Sequence, residues 1–175
     1  MSFKKVFLPA LILTAVCLVA SLALALTNEL TDERIAKVEE ERYLASVAAV
    51  LPEDATPEKR NASGTEYFVA KDAGDNVVGY AVKTSAKGYG GDVTCVVGFD
   101  TDGKIIGLSV AAPDETPGLG SNVTKSKFKN QFLGIDHPPT LNKDDMVTGA
   151  TYSSRAVEAA VGEAFALFQT ITKGE

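Results

Sequence analysis

Apolar positions run unbroken by charge from Val6 to Leu26 and then thin out into periodic patterns, first at helical spacing and later at strand spacing. The 21 uncharged residues would span, at 1.5 Å per residue, a hydrocarbon core of roughly 30 Å, so one transmembrane helix is expected over 6–26. Leu30, Ile35, Val38, Leu44, Val47 and Val50 then form an imperfect stripe among Glu39, Glu40, Glu41 and Arg42, predicting a helix over Asn28–Val50 that Leu51-Pro52 ends. Pro52 to Thr65 is polar and rich in turn formers, and reads as a linker.

Four strands follow at Glu66–Lys71, Val77–Ser85, Asp92–Phe99 and Lys104–Ala111. Asp72-Ala73-Gly74-Asp75-Asn76 and Asp100-Thr101-Asp102-Gly103 mark two hairpin turns, since these residues tolerate positive φ or bond their own backbone. Beyond Pro113 come the loop Glu115-Thr116-Pro117-Gly118-Leu119-Gly120, a helix over Val123–Leu133 and a break at His137-Pro138-Pro139. Val157, Ala160, Val161, Ala164, Phe168 and Ile171 set a last helix over Ser154–Thr172, with Ser153 or Ser154 as its cap. Strands followed by helices predict an α+β fold, a mostly antiparallel sheet covered by helices. The expected organisation is a cytoplasmic segment 1–5, the transmembrane helix 6–26, a helical stalk and linker 27–65, and an extracytoplasmic domain 66–175.

Charge orients this plan. Lys4 and Lys5 precede the apolar run while Glu29, Asp32 and Glu33 follow it, which by the positive-inside rule leaves the N-terminus in the cytoplasm. A cleaved signal peptide is the competing reading, with Ala23-Leu24-Ala25 as the small residues a peptidase needs, and it exports the same domain. Lys4 and Lys5 are the only charges in the first 26 residues, so the rest carries 15 basic and 23 acidic residues, a formal −8. Such a body repels a phosphate backbone and argues against nucleic acid as a partner.

Candidate chemistry is sparse. One histidine and two separated cysteines, Cys17 and Cys95, cannot build a zinc site or a disulfide framework. His137 lacks a Gly-x-Ser-x-Gly partner and reads as a loop residue. Gly88-Tyr89-Gly90-Gly91 lacks dinucleotide-site spacing and reads as a turn between strands, and Cys95 as a small core residue. Asp145-Met146-Val147-Thr148-Gly149-Ala150-Thr151-Tyr152-Ser153 places hydroxyls and small residues just before a helix, where amides and the helix dipole favour an anion. From physics alone it is either a weak anion site or a plain glycine turn and N-cap.

The same segment, as Asp145-x-x-Thr148-Gly149-Ala150-Thr151-x-Ser153, resembles the flavinylation motif of the FMN-binding domain family. Glu115-Thr116-Pro117-Gly118-Leu119-Gly120 is similar to a loop in the G subunit of the Rnf ion-translocating electron transport complex and in the C subunit of the sodium-translocating NADH:quinone reductase. The resemblance spans roughly the whole chain, and its length suits the Rnf protein better.

It implies an FMN joined through its phosphate to Thr151, one per chain, by an exported flavin transferase. Gly149 and Ala150 would leave room for the phosphate, Asp145, Thr148 and Ser153 would shape the turn that the transferase reads, and Glu115, Thr116, Gly118, Leu119 and Gly120 would pack near the ring. The implied function is electron transfer within a bacterial cytoplasmic-membrane complex that moves sodium or protons, alongside other Rnf-type subunits, with no substrate turned over by this chain alone. An independent flavinylated carrier and an anchored assembly domain without flavin are the alternatives.

Overall fold

A computed structural model describes residues 3–62 and 64–173. The expected segment 1–5 lies partly outside them. The chain divides into two units, 1–43 and 44–175.

In the first unit, helix α1 (Phe3–Val50) presents its large apolar side chains outward all the way round, among them Phe7, Leu11, Val19 and Leu24. A helix apolar on every side and exposed is one long and greasy enough to cross a membrane. Thr14 and Thr27 return their hydroxyl protons to the carbonyls of Ala10 and Ala23 at 2.9 and 2.8 Å, so neither proton is left unpaired toward lipid. The helix starts ahead of Val6, so Pro9 sits in its second turn.

The second unit is built on one antiparallel meander, β1 (Thr56–Ala62), β2 (Thr65–Lys71), β3 (Val77–Lys87), β4 (Asp92–Phe99) and β5 (Ile105–Ala111), in spatial order β1 to β5. Both expected hairpin turns form. Asp72 Oδ1 accepts from the amides of Gly74 and Asn76, and Asp100 Oδ1 from those of Asp102 and Lys104, all within 2.8–2.9 Å.

Two elements depart from expectation. The stretch 52–65 is not a linker, because Thr56–Ala62 pairs residue for residue with β2, Lys59 opposite Phe68 and Glu58 opposite Val69. Nothing apolar marks it; the ladder and the ion pairs Lys59–Glu66 (2.9 Å) and Glu58–Lys71 (3.0 Å) hold it, as suits a charged edge strand. The helix expected over Val123–Leu133 is instead three short pieces, a 3-10 turn at Gly120–Thr124, α2 (Ser126–Lys129) and a 3-10 turn at Asn130–Phe132. Extended backbone at Lys125 separates the first two, so that Val123, Phe128 and Phe132 can all reach the core.

Helix α3 (Thr151–Lys173) covers one face of the sheet. Phe99 meets Phe165 edge-on at 5.1 Å and Phe168 stacked at 4.8 Å, Tyr80 meets Phe168 at 5.5 Å, and the Thr84 hydroxyl donates to the Ala160 carbonyl at 2.8 Å. Each of these rings contributes about 1.5–3 kcal/mol by burial alone. The opposite face receives the end of α1: Val47, Val50 and Leu51 are buried, and a Cβ at Gly98 or Gly107 would lie 2.1 or 2.5 Å from Val50 backbone atoms. Gly98 and Gly107 are cross-strand partners, so together they leave a bare patch of backbone on which Val50 rests. Covering both faces explains the continuous buried runs Tyr67–Ala70 and Cys95–Phe99.

Candidate functional site

The loop after β5 and the entry to α3 are each shaped by a tight turn. In the first, Leu119 N–H bonds the Thr116 carbonyl at 3.1 Å with Pro117 and Gly118 between them, Gly118 at φ +76°. Proline followed by a residue of positive φ is the type II pattern. In the second, Ala150 N–H bonds the Val147 carbonyl at 2.9 Å and Gly149 takes φ +77°. These turns touch, since a Cβ on Gly149 would lie 3.0 Å from Leu119 Cδ1. Glycine at 149 therefore serves both its own turn and the approach of Leu119.

Glu115 makes a second tie between the two segments. It is buried, with Oε2 accepting from Ser153 Oγ at 2.8 Å and Oε1 from the amides of Tyr89 and Gly90 at 2.7 and 3.3 Å. Neither expected serine caps α3. Ser153 turns inward to Glu115, while Ser154 Oγ accepts from Val147 N–H and donates to the Ala150 carbonyl, both at 3.0 Å. The helix starts at Thr151 instead of Ser154, and its first hydrogen bond runs from Ser154 N–H to the Ala150 carbonyl at 3.0 Å. The amides of Thr151, Tyr152 and Ser153 find no backbone acceptor among the described residues, as expected of a first turn.

Between these segments lies a cleft of about 390 Å³ lined by Tyr89, Glu115, Thr116, Leu119, Gly120, Gly149, Ala150, Thr151, Tyr152 and Ser153. That volume falls in the range of small-molecule sites. Eight of the ten residues singled out from the sequence line it. Gly118 stands at the exposed outer end of its turn, and Thr148 lines a neighbouring groove with Lys125, Lys127 and Gln131. Two lining residues fall outside that set, Tyr89 and Tyr152, whose exposed rings stand 6.4 Å apart. Their signal is present in the sequence: one lies in the glycine turn, the other in the free position of the attachment motif. Among the described residues no lysine or arginine lines the cleft.

Residues 88–166 match the FMN-binding domain, and residues 1–50 match the RnfG N-terminal region. The fold is thus that of an FMN-binding domain. Over 93% of this chain and 91% of the relative, it is 31% identical to the G subunit of the proton-translocating ferredoxin:NAD(+) oxidoreductase complex of Clostridium ljungdahlii. It is also 31% identical to the Na(+)-translocating counterpart of Acetobacterium woodii, over 98% of this chain and 95% of that one. The chain belongs to the RnfG family, the G subunits of the ion-translocating oxidoreductase complexes, and it is membrane-anchored. Among solved structures, NqrC of Shewanella oneidensis shares the fold, with a TM-score of 0.51 and 23% identity over 67% of this chain and 66% of that one.

The cleft fits FMN. Leu119 and the two tyrosines offer apolar and aromatic surface to a flat ring, while the Thr151 hydroxyl and the unpaired first-turn amides of α3 suit a phosphate.

Proposed function

We propose that this chain is the electron-carrying subunit of an Rnf-type membrane complex that couples electron transfer to ion translocation, its FMN held to Thr151 by a phosphoester. The observation that carries the attachment is an exposed threonine hydroxyl at the N-terminus of a 23-residue helix, inside a cleft that has no cationic side chain among the described residues. Without a lysine or arginine a phosphate there has only amides and the helix dipole, about 0.3–1 kcal/mol from the dipole, to keep it. Outside the cytoplasm a cofactor held so weakly would be lost, and a covalent bond removes that loss.

Forming the ester makes a bond from phosphorus to the Thr151 oxygen and breaks one from phosphorus to its leaving oxygen, which departs with the Thr151 hydroxyl proton, so that the chain gains the mass of FMN less one water. The exported flavin transferase is the partner that would carry this out. When bound, FMN supplies the oxidation and reduction, and the protein sets its exposure and surroundings. Gly149 keeps the turn open beside Leu119, Ala150 gives its carbonyl to the first hydrogen bond of the helix, and Thr151 stands exposed at the helix start. Thr148 and Asp145 lie on the outer side of that turn, Asp145 Oδ2 accepting from Asn142 N–H at 2.9 Å, where they can be read by the transferase. The charges that flank the apolar run of α1 support an N-terminus in the cytoplasm and a flavin outside the bacterial cytoplasmic membrane. The other subunits of the complex would deliver and collect the electrons.

Intact-mass analysis and peptide mapping of the chain made in its own host, or beside a flavin transferase, test the attachment. One FMN less one water is expected on the Thr151 peptide, and Thr151→Ala should abolish flavin that survives a denaturing gel while leaving the fold intact. Flavin that persists on the Thr151→Ala chain through that gel rules this attachment out.

A further inference from the structure

Glu115 is expected from the sequence among the cofactor contacts, yet both of its oxygens are already engaged and its side chain is 3% exposed. The backbone closes around it. A Cβ at Gly88 would lie 2.2 Å from Oε1 and a Cβ at Gly120 2.2 Å from Oε2, so these glycines exist to let two chain segments reach the carboxylate. What it joins is specific. One oxygen holds the Tyr89 amide, and the other holds the hydroxyl of Ser153, the neighbour of Tyr152.

Those two tyrosines are 75% and 72% exposed and stand together at the rim of the cleft. Their centroids are 6.4 Å apart and their planes 45° from parallel. A planar ring between two others needs about 7 Å, twice a van der Waals spacing of about 3.5 Å. Exposed side chains reach that by moving a few tenths of an ångström each and rotating about their side-chain bonds to bring the two planes toward parallel.

We propose that Tyr89 and Tyr152 are the aromatic walls that flank the isoalloxazine, and that Glu115 is a positioning residue that fixes their spacing rather than a flavin contact. This rests on the reading of the cleft as the flavin site. Aromatic stacking adds to what burial of the ring alone gives. It also leaves an optical mark: a phenol in contact with an excited flavin passes it an electron and takes it back, which quenches the fluorescence.

The test uses the full-length flavin-loaded chain, with loading on Thr151 confirmed by mass in every variant. Tyr89→Leu and Tyr152→Leu should each raise flavin fluorescence several-fold and change its visible circular dichroism. Glu115→Ala should do the same without touching either ring. Glu115→Gln should stay near the parent, because its oxygen can accept from the Tyr89 and Gly90 amides while its NH2 donates to Ser153 Oγ. Loaded tyrosine variants as quenched as the parent overturn the aromatic walls. A loaded Glu115→Ala that keeps the parental spectrum, or a Glu115→Gln as bright as Glu115→Ala, overturns the positioning role. A parent chain with an unmodified Thr151 and no flavin removes the site reading itself, an outcome that mass alone distinguishes from the others.

Discussion

The two faces of the sheet are covered by different means. On the α3 face, side chain meets side chain: Phe99, Phe165, Phe168 and Tyr80 interlock, and Val82, Val93, Cys95 and Val97 fill the space between. On the α1 face, backbone meets backbone, because Gly98 and Gly107 present no side chain and Val50 lies directly on them. The first kind of packing tolerates adjustment, since rings can tilt and neighbours can follow. The second has nothing to give. It also divides the labour, for the cleft is built at the start of α3 while the other face receives the last turn of the anchor helix.

Truncation on the α3 face should have the largest effect. Phe165→Ala removes a ring that is 2% exposed and in edge contact with Phe99, and should cost about 4 kcal/mol. A urea titration of the detergent-solubilised chain, followed by tyrosine fluorescence, measures it. Because α3 also carries Thr151 and Ser153, this variant should loosen the cleft and brighten the flavin as well.

Adding a single carbon on the α1 face should come next. Gly98→Ala puts Cβ 2.1 Å from the Val50 carbonyl oxygen, too close for any rotation to relieve, and should cost about 3 kcal/mol as the helix end is pushed off. The same titration gives that number. The flavin spectrum should stay parental, since the cleft is lined by other residues. Equal disturbance of the flavin by both variants would mean that the two faces are not independent.

The contrast also explains what could be read from the sequence. Alternation at period two is visible in Val93, Cys95 and Val97 and placed β4 correctly, as helical spacing placed α3. The attachment motif and the loop were legible as strings of residues, and the structure brings them together at Leu119 and Gly149. β1 was invisible, because Thr-Pro-Glu-Lys-Arg-Asn-Ala carries no apolar signal and becomes a strand only by pairing with β2. The glycines at 98 and 107 look like weak strand positions until Val50 is placed on them. The hydrogen bonds of Glu115 were hidden for a similar reason, since its partners Tyr89, Gly90 and Ser153 all lie far from it along the chain.

Cys95 gives the smallest and sharpest probe of the comparison, because it sits on the α3 face of β4 with no exposed surface. Burial pushes its thiol up to about 12 from an ordinary 9.0, since a thiolate there would lose its hydration. A raised folded-state pKa means that this contribution to stability is fully present below pH 9 and is lost as pH climbs from 9 toward 12, where only the unfolded chain releases the proton easily. Thiolate is the reactive form, so in a Cys17→Ser background an alkylating reagent at pH 8 should modify Cys95 only when the chain opens. Its rate then reports opening of the α3 face. Phe165→Ala should accelerate alkylation more than Gly98→Ala does, beyond their difference in overall stability, because only the former uncovers β4 from the side the thiol faces. Alkylation that tracks overall stability alone, with no excess for Phe165→Ala, would show that the two faces open together and that the sheet unfolds as one unit.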